Sequence, residues 1–395
     1  MFSALAIATA PRERVNFDFA WRHHLGELPP AALQPTYNDS SWALVDAPHD
    51  MLINGERSAA NDPSQSFLPR GVGYYRKHFK LPADWSGRTV VWLYVEGAFH
   101  ETSVYLNGAR LLYHAAGYTS FWVRLDDAGA AWGGSNVLAI RVNASSGTGW
   151  WYEGGGLMRH NYLVAASPLH IAPDSAWVHA NVSGVAPRAA GQPAAGVGAA
   201  AAVVHCEATV ANAQSTAAAP ILRATVRDAA GAVVGTAATA PLQIAPSSNA
   251  TASLRVVLGD VELWSVARPY MYSVDFEVMA SGTVDAVTVD TGFKYVEFDA
   301  SDGLHMNGER VKIRGFCDHD NFGAVGGAVP DRIDLYRAQL LRTVGANAWR
   351  MAHNPPAPHR LEIMDRSVCS LSTRIATTAV RSGRAASRRR RSLTS

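Results

Sequence analysis

From Pro11 to about Ile171 the chain is a succession of short alternating or apolar runs between turn residues, with almost no helical periodicity. Tyr75–Leu81 opens as a polar/apolar alternation, and Thr89–Glu96 (TVVWLYVE) is a β-branched and aromatic run. Thr102–Leu106 meets Asn107-Gly108, the strongest two-residue hairpin signal, and the apolar run Leu111–Tyr113 follows it. Phe121–Leu125 and Asn136–Val142 continue the series. So many short strands at this spacing predict a β-sandwich of the jelly-roll kind. Strands resume at Val203–Val210, Ile221–Val226, Thr251–Leu258, Tyr272–Val278 and Ala286–Val289, and Tyr272–Val278 (YSVDFEV) is apolar at every second position. These predict a small immunoglobulin-like sandwich.

The grammar changes after about Asp299. A turn at Gly303–Gly308 leads to an expected strand, Val311–Phe316, and then to a helix opening at Pro330-Asp331. Asp334, three residues after Asp331, suggests a capping box; Ile333, Tyr336, Leu340 and Val344 form the expected apolar stripe, and Gly345 sits where a helix ends. Asn347–Met351 is the next strand, and a second helix begins near Pro358. Strand-helix-strand-helix implies a parallel sheet with buried strands. The pattern therefore divides the chain into residues 1–10, a signal remnant or disordered; 11–172, a jelly roll; 173–297, the immunoglobulin-like sandwich; 298–366, β/α units; and 367–395, a disordered tail rich in Arg and Ser.

With 395 residues and an apolar share of 48%, the chain can bury several cores, and it contains no run of eighteen apolar residues. Its net charge of +2 conceals an asymmetry, because Ser367–Ser395 holds seven Arg and no acid, leaving −5 on residues 1–366. Neither nucleic acid nor membrane is implied by that body. A frame or exon change near Arg366 explains the break in composition as well as disorder does. The apolar start, Met1–Ala10, lacks a basic n-region, and four Asn-x-Ser/Thr sequons decide nothing, so secreted and cytoplasmic locations both stay open. Cys206, Cys317 and Cys369 are too far apart for CxxC metal or redox motifs. Gly196-Val-Gly198, in the alanine-rich Ala186–Ala202, has neither strand nor helix to make it a dinucleotide site.

Two polar clusters fall at the carboxyl ends of consecutive expected strands: Cys317, Asp318, His319, Asp320 and Asn321 after the first, and Arg350, His353 and Asn354 on and after the second. In a barrel such neighbouring ends converge on one pocket. An Arg paired with an Asp and a His capping a turn would account for the same residues structurally. The acids and histidines supply metal-ligand types without a familiar ligand spacing, and no metal or cofactor is assigned. There is no GxSxG, GxxxxGK[ST] or HExxH. His23-His24 and His49-Asp50 read as surface or turn residues, whereas eight of the eleven Trp lie before residue 152, more than a core of that size needs.

The run Asn347-Ala348-Trp349-Arg350-Met351-Ala352-His353-Asn354-Pro355 resembles the N-x-x-R-x-x-H-x-P signature of glycoside hydrolase family 2. Ile313–His319 resembles that family's first barrel strand, and Gly326, Pro330 and Asp331 are similar to its β-galactosidase branch. Trp42 with Pro48-His49-Asp50, Gly73-Tyr74-Tyr75-Arg76, Trp151–Arg159, and Leu263-Trp264-Ser265 with Pro269 add to the resemblance, which spans residues 14 to 366.

The resemblance implies a sugar-binding jelly roll, an immunoglobulin-like sandwich and the opening of a (β/α)8 TIM barrel. It also implies a retaining exo-glycosidase acting on terminal β-linked sugars, with one Glu as acid/base and another as nucleophile. Arg350 would orient the nucleophile; His319 and His353, with Asn347 and Asn354, would support the sugar; Trp151 and Tyr152 are candidate stacking rings. β-Glucuronidase and β-mannosidase branches share much of the pattern, and a non-catalytic carbohydrate-binding protein is the alternative of another class. Cys317 stands where the family usually has Asn, and Trp150 where a polar residue is common. Both catalytic glutamates belong to later barrel strands and no Glu follows residue 362, so the 395-residue chain is expected to be inactive. Oligomeric state is not legible.

Overall fold

The computed structural model describes residues 11–86, 89–147, 149, 151–185 and 200–366. The readings made for residues 1–10, Gly196-Val-Gly198, Cys369, Trp150 and the 367–395 tail lie outside them.

The first sandwich faces a six-stranded antiparallel sheet against one of four strands. Trp21–Leu25, Gly71–Lys80, Ser135–Ala144 and Thr102–Leu106 form the middle of the larger sheet; Arg12–Asn16, Asn161–Ala166, Val90–Val95 and Phe121–Arg124 make the smaller. Asn107 and Gly108 both have positive φ, 50° and 88°, as a tight turn between right-twisted strands requires, and Leu106 pairs with Ala109 across it. Asn107 Oδ1 also accepts from Val137 N at 2.9 Å, tying the turn to the neighbouring strand. Between the sheets lie Trp21, Tyr75, Leu93, Val104, Leu106 and Ile140, all fully buried. Of the seven described tryptophans before residue 152, Trp122, Trp132 and Trp151 are only part-buried, in line with a count beyond core duty, while Trp21 and Trp85 lie in this interior and Trp42 and Trp92 are buried elsewhere in the sandwich. A ten-strand sandwich has room for them because each indole removes a large apolar area from water.

The second sandwich packs Leu169–Ile171, Trp177–Ser183, Ala201–Asn212 and Ser248–Leu258 against Val233–Ala238, Ile221–Arg227, Tyr272–Met279 and Thr283–Thr291. Tyr272–Met279 buries every second side chain, as its alternation predicts, and Val274, Phe276 and Val278 meet Val204, Leu222 and Phe293 in the core. An ion pair joins the two sandwiches: Arg12 Nη2 lies 2.7 Å from the buried Asp285, which also accepts from Ile171 N.

The third part holds a small antiparallel sheet, a parallel pair of strands and two helices. The pair is Gly315–His319 with Ala348–Ala352, registering Cys317 opposite Arg350 and His319 opposite Ala352. Helix α1 is Asp331–Thr343 and helix α2 is Pro358–Arg366. Trp349, Ala338 and Met364 form their shared core. The first strand thus begins four residues later than its apolar run suggests. Asn347 accompanies the shift: its side chain bonds Lys312 O and Arg314 N, at 3.0 and 2.8 Å, beside the backbone bond from Asn347 N to Arg314 O at 2.8 Å.

Helix α1 departs from expectation twice. Pro330 is its N-cap without a side-chain cap bond, and Asp334 turns inward to Arg360 instead of closing a capping box. The predicted apolar stripe faces solvent, with Tyr336 52%, Leu340 47% and Val344 66% exposed, while Asp334 and Ala338 occupy the buried face. Charge pairing with Arg360 sets the rotation of the helix. Its end is as expected: Gly345 has φ +75°, with Gly345 N bonded to Arg342 O and Ala346 N to Leu341 O. No described helix is long and apolar enough to cross a membrane.

Candidate functional site

The cleft forms where the last loop of the first sandwich meets the carboxyl ends of the parallel strands. Arg350 projects from the second strand toward solvent; its Nη1 donates to Cys317 Sγ at 2.9 Å, and its Nη2 lies 3.1 Å from His353 Nδ1. Trp151 reaches across from the sandwich, its ring centroid 4.8 Å from His319 and 5.5 Å from His353, and the two imidazoles are 5.3 Å apart at 89°. Four residues from three separate stretches of the chain thus make an aromatic and cationic wall. His319 Nδ1 is buried without a hydrogen-bond partner.

The Trp151 loop is held from both sides. Gln65 Nε2 donates to Trp151 O, Gln65 Oε1 accepts from Glu153 N at 2.9 Å, and Asn321 Nδ2 donates to Tyr152 O at 2.9 Å. Beneath it lies Asp50, only 3% exposed. Its carboxylate accepts from Tyr152 Oη (2.9 Å), Leu52 N (3.0 Å), Gly155 N (3.3 Å) and Gly327 N (2.9 Å). Burial raises the Asp50 pKa, and the four donors oppose that rise. Of the surface-or-turn reading, the surface half fails for Asp50, which is buried and holds Leu52 N as a turn residue does, while His49 is part-buried and packs on the buried Tyr75, with its Nδ1 2.8 Å from that hydroxyl. Gly326 must stay bare here, since it has φ +64° and a Cβ would come 2.1 Å from Asp50 Oδ2.

Under the strand ends, three arginines meet three aspartates. Asp320 accepts from Arg159 (2.8 Å) and from Arg360; Asp334 accepts from Arg360 (2.8 Å); Asp318 pairs with Arg337 (3.0 Å). Arg360 is 1% exposed, and Arg159 also donates to Tyr118 O and Pro355 O, so this lattice binds the first sandwich to the barrel segment. Burial raises the Asp318 pKa; Asp334 feels the same desolvation, but bonds from His359 and Arg360 outweigh it and leave its pKa low.

The structure brings Trp151, His319, Arg350 and His353 together. Asn347 stays at the opposite end of the strand, bonded to backbone, and Asn354 lies just past His353, half-buried. Tyr152 gives its hydroxyl to Asp50 at the base of the loop. Asp318 and Asp320, weighed as metal ligands, are held by arginines instead. Sequence reasoning missed Gln65, Arg159 and Arg360 as positioning residues, and with reason: Arg159 finds Asp320 161 residues away, and Asp50 finds Gly327 277 residues away.

Residues 195–294 match the family described as "Glycosyl hydrolases family 2", and residues 299–371 match "Glycosyl hydrolases family 2, TIM barrel domain". The chain belongs to glycosyl hydrolase family 2. A β-galactosidase of Bacteroides ovatus is 32% identical over 90% of this chain and 40% of its own length. A β-glucuronidase of Formosa agariphila is 26% identical over 91% of this chain and 38% of its own. A family 2 member from Bacteroides cellulosilyticus has a solved structure with TM-score 0.79 and 27% identity, covering 89% of this chain and 46% of that one. The chain thus spans about 40% of the length of that β-galactosidase. In family terms, the described residues hold a jelly roll, an immunoglobulin-like sandwich and two β/α units of the TIM barrel.

Proposed function

We propose that this chain provides the sugar-binding wall of a retaining exo-glycosidase of β-galactosidase type, acting on terminal β-linked sugars. Arg350 carries the reading. Its neighbours Arg159, Arg337 and Arg360 each have an Asp, whereas Arg350 faces the cleft with only a thiol and an imidazole as partners among the described residues. A guanidinium at a barrel strand end, beside Trp151 and two imidazoles, suits a nucleophilic carboxylate whose anionic form it would stabilise. Trp151 offers a face for a pyranose, and His319 and His353 offer hydrogen bonds to its hydroxyls.

Retaining hydrolysis needs two carboxyl groups about 5–5.5 Å apart, one as nucleophile and one as acid/base. Asp318 and Asp320, which follow the first barrel strand, are each clamped by arginine, so in this reading neither serves as nucleophile or acid/base. A β-glucuronidase-type reading has one observation in its favour: Arg350 would also receive a sugar carboxylate. Titrating the chain with methyl β-D-galactoside and with methyl β-D-glucuronide, followed by tryptophan fluorescence, separates the two. Preferred quenching by the galactoside, abolished in Trp151→Ala, is expected. Preference for the glucuronide, lost in Arg350→Ala, establishes the second reading, and no response to either refutes both.

A further inference from the structure

Away from the sugar wall, where the first sandwich meets both helices, a chain of alternating carboxylates and imidazoles runs Asp18, His160, Asp331, His359, Asp334. His160 Nδ1 is 2.6 Å from Asp18 Oδ2, and His359 Nε2 is 2.7 Å from Asp334 Oδ2. When both rings are neutral with their protons on the nitrogens that face Asp18 and Asp334, lone pairs remain at His160 Nε2 and His359 Nδ1. Both lone pairs aim at one oxygen, Asp331 Oδ1, at 3.0 and 3.2 Å. Three potential ligand atoms therefore converge, all within 4.8 Å of one another. In that neutral form the three lone-pair atoms repel one another unless a cation, proton or metal ion, stands between them.

We propose that His160, Asp331 and His359 form a site for a borderline first-row divalent cation of the Zn²⁺ class, with Asp18 and Asp334 as outer partners, clamping the first sandwich to α1 and α2. Tetrahedral zinc with bonds of about 2.1 Å sets its ligand atoms about 3.4 Å apart, a spacing this trio meets with small side-chain movement. A carboxylate behind each ligating histidine is the outer arrangement that fixes the tautomer and raises ligand basicity. Two nitrogens and one oxygen disfavour Ca²⁺ and Mg²⁺, which take oxygen ligands. Asp331 is half-exposed, so water can complete the coordination.

The test uses the full 395-residue chain with Cys317→Ser, which removes the exposed thiol as a competing ligand, stripped with EDTA. Zn²⁺ titration by calorimetry should give one ion per chain with a raised Tm that EDTA reverses, and Co²⁺ should give the visible bands of a tetrahedral site. Mg²⁺ and Ca²⁺ should do neither. Asp331→Asn, a half-exposed change that leaves the core intact, and His359→Gln should each weaken binding at least 10-fold, and Asp18→Asn about 10–100-fold. Circular dichroism of the metal-free variants separates loss of ligand from loss of fold. Absence of saturable one-site binding, or binding unchanged in folded Asp331→Asn, would overturn the proposal and leave the cluster a proton-bridged ion-pair chain.

Discussion

Single side chains at the seams carry more of this protein than their positions in sequence suggest. Asp50 closes four hydrogen bonds from two parts of the chain, so Asp50→Ala strands buried donors and should cost about 2–4 kcal/mol in urea unfolding. Asp50→Asn should cost less, since its carbonyl oxygen keeps some of the acceptors. A change below about 0.5 kcal/mol for Asp50→Ala would show that the loop finds other partners. His170 works through pH. Burial first, and then the nearby Arg12 charge, lower its pKa from 6.5 to about 4. The folded state holds this ring neutral while the unfolded chain protonates it below 6.5, so its contribution is intact above that pH and fades as pH falls toward 4. The loss amounts to at most about 3 kcal/mol, and His170→Asn should flatten the stability curve between those values. An unchanged acid limb in the variant would refute the assignment.

At the level of elements, the barrel segment has a buried and an unpartnered side that its amphipathic pattern would reverse. Trp349 packs on Ala338 and Met364, with the Arg360 guanidinium 5.3 Å from its ring, so Trp349→Ala should cost about 3–5 kcal/mol. Leu340, on the expected core stripe, is 47% exposed, and Leu340→Lys should shift stability by no more than about 0.5 kcal/mol while improving solubility. A large loss from Leu340→Lys would mean that the stripe is covered in solution. Among the described residues, the strands Gly315–His319 and Ala348–Ala352 pair only with each other. Their amides should exchange faster than those of Tyr272–Met279, which has a neighbour on each side.

For the molecule as a whole, the seams decide how the parts respond together. We propose units at 11–172, 173–297 and 298–366, with the Arg159–Asp320–Arg360 lattice holding the first to the third. Limited proteolysis should then cut first near the 297/298 junction, and Arg159→Met should speed that cut several-fold without changing cleavage inside either sandwich. A protease-resistant piece running from 200 through 366 in that variant would refute the division. Hydrolysis of a nitrophenyl β-galactoside by the 395-residue chain should be absent, because Asp318 and Asp320 are each held by arginine and neither is free to attack. Turnover with a burst would overturn that reading and turn attention to Glu153, buried beside the Trp151 loop.

What the sequence determined by itself was whatever depends on near neighbours. Alternation in Tyr272–Met279 gave its buried face, Asn107-Gly108 gave a hairpin, and Gly345 gave a helix end, because strand pleat, positive φ and capping are settled within a few residues. The Asn347–Pro355 motif likewise carried Arg350 and His353 into one cleft with His319. Tertiary structure alone decided which face of α1 is buried, where Lys312–Arg314 leaves the strand, and that Asp50, Arg159 and Arg360 are ties between parts. Those outcomes are set by charges and lone pairs that meet across separations from 26 to 277 residues, where a buried ion pair outweighs an apolar stripe and no local pattern records the partner.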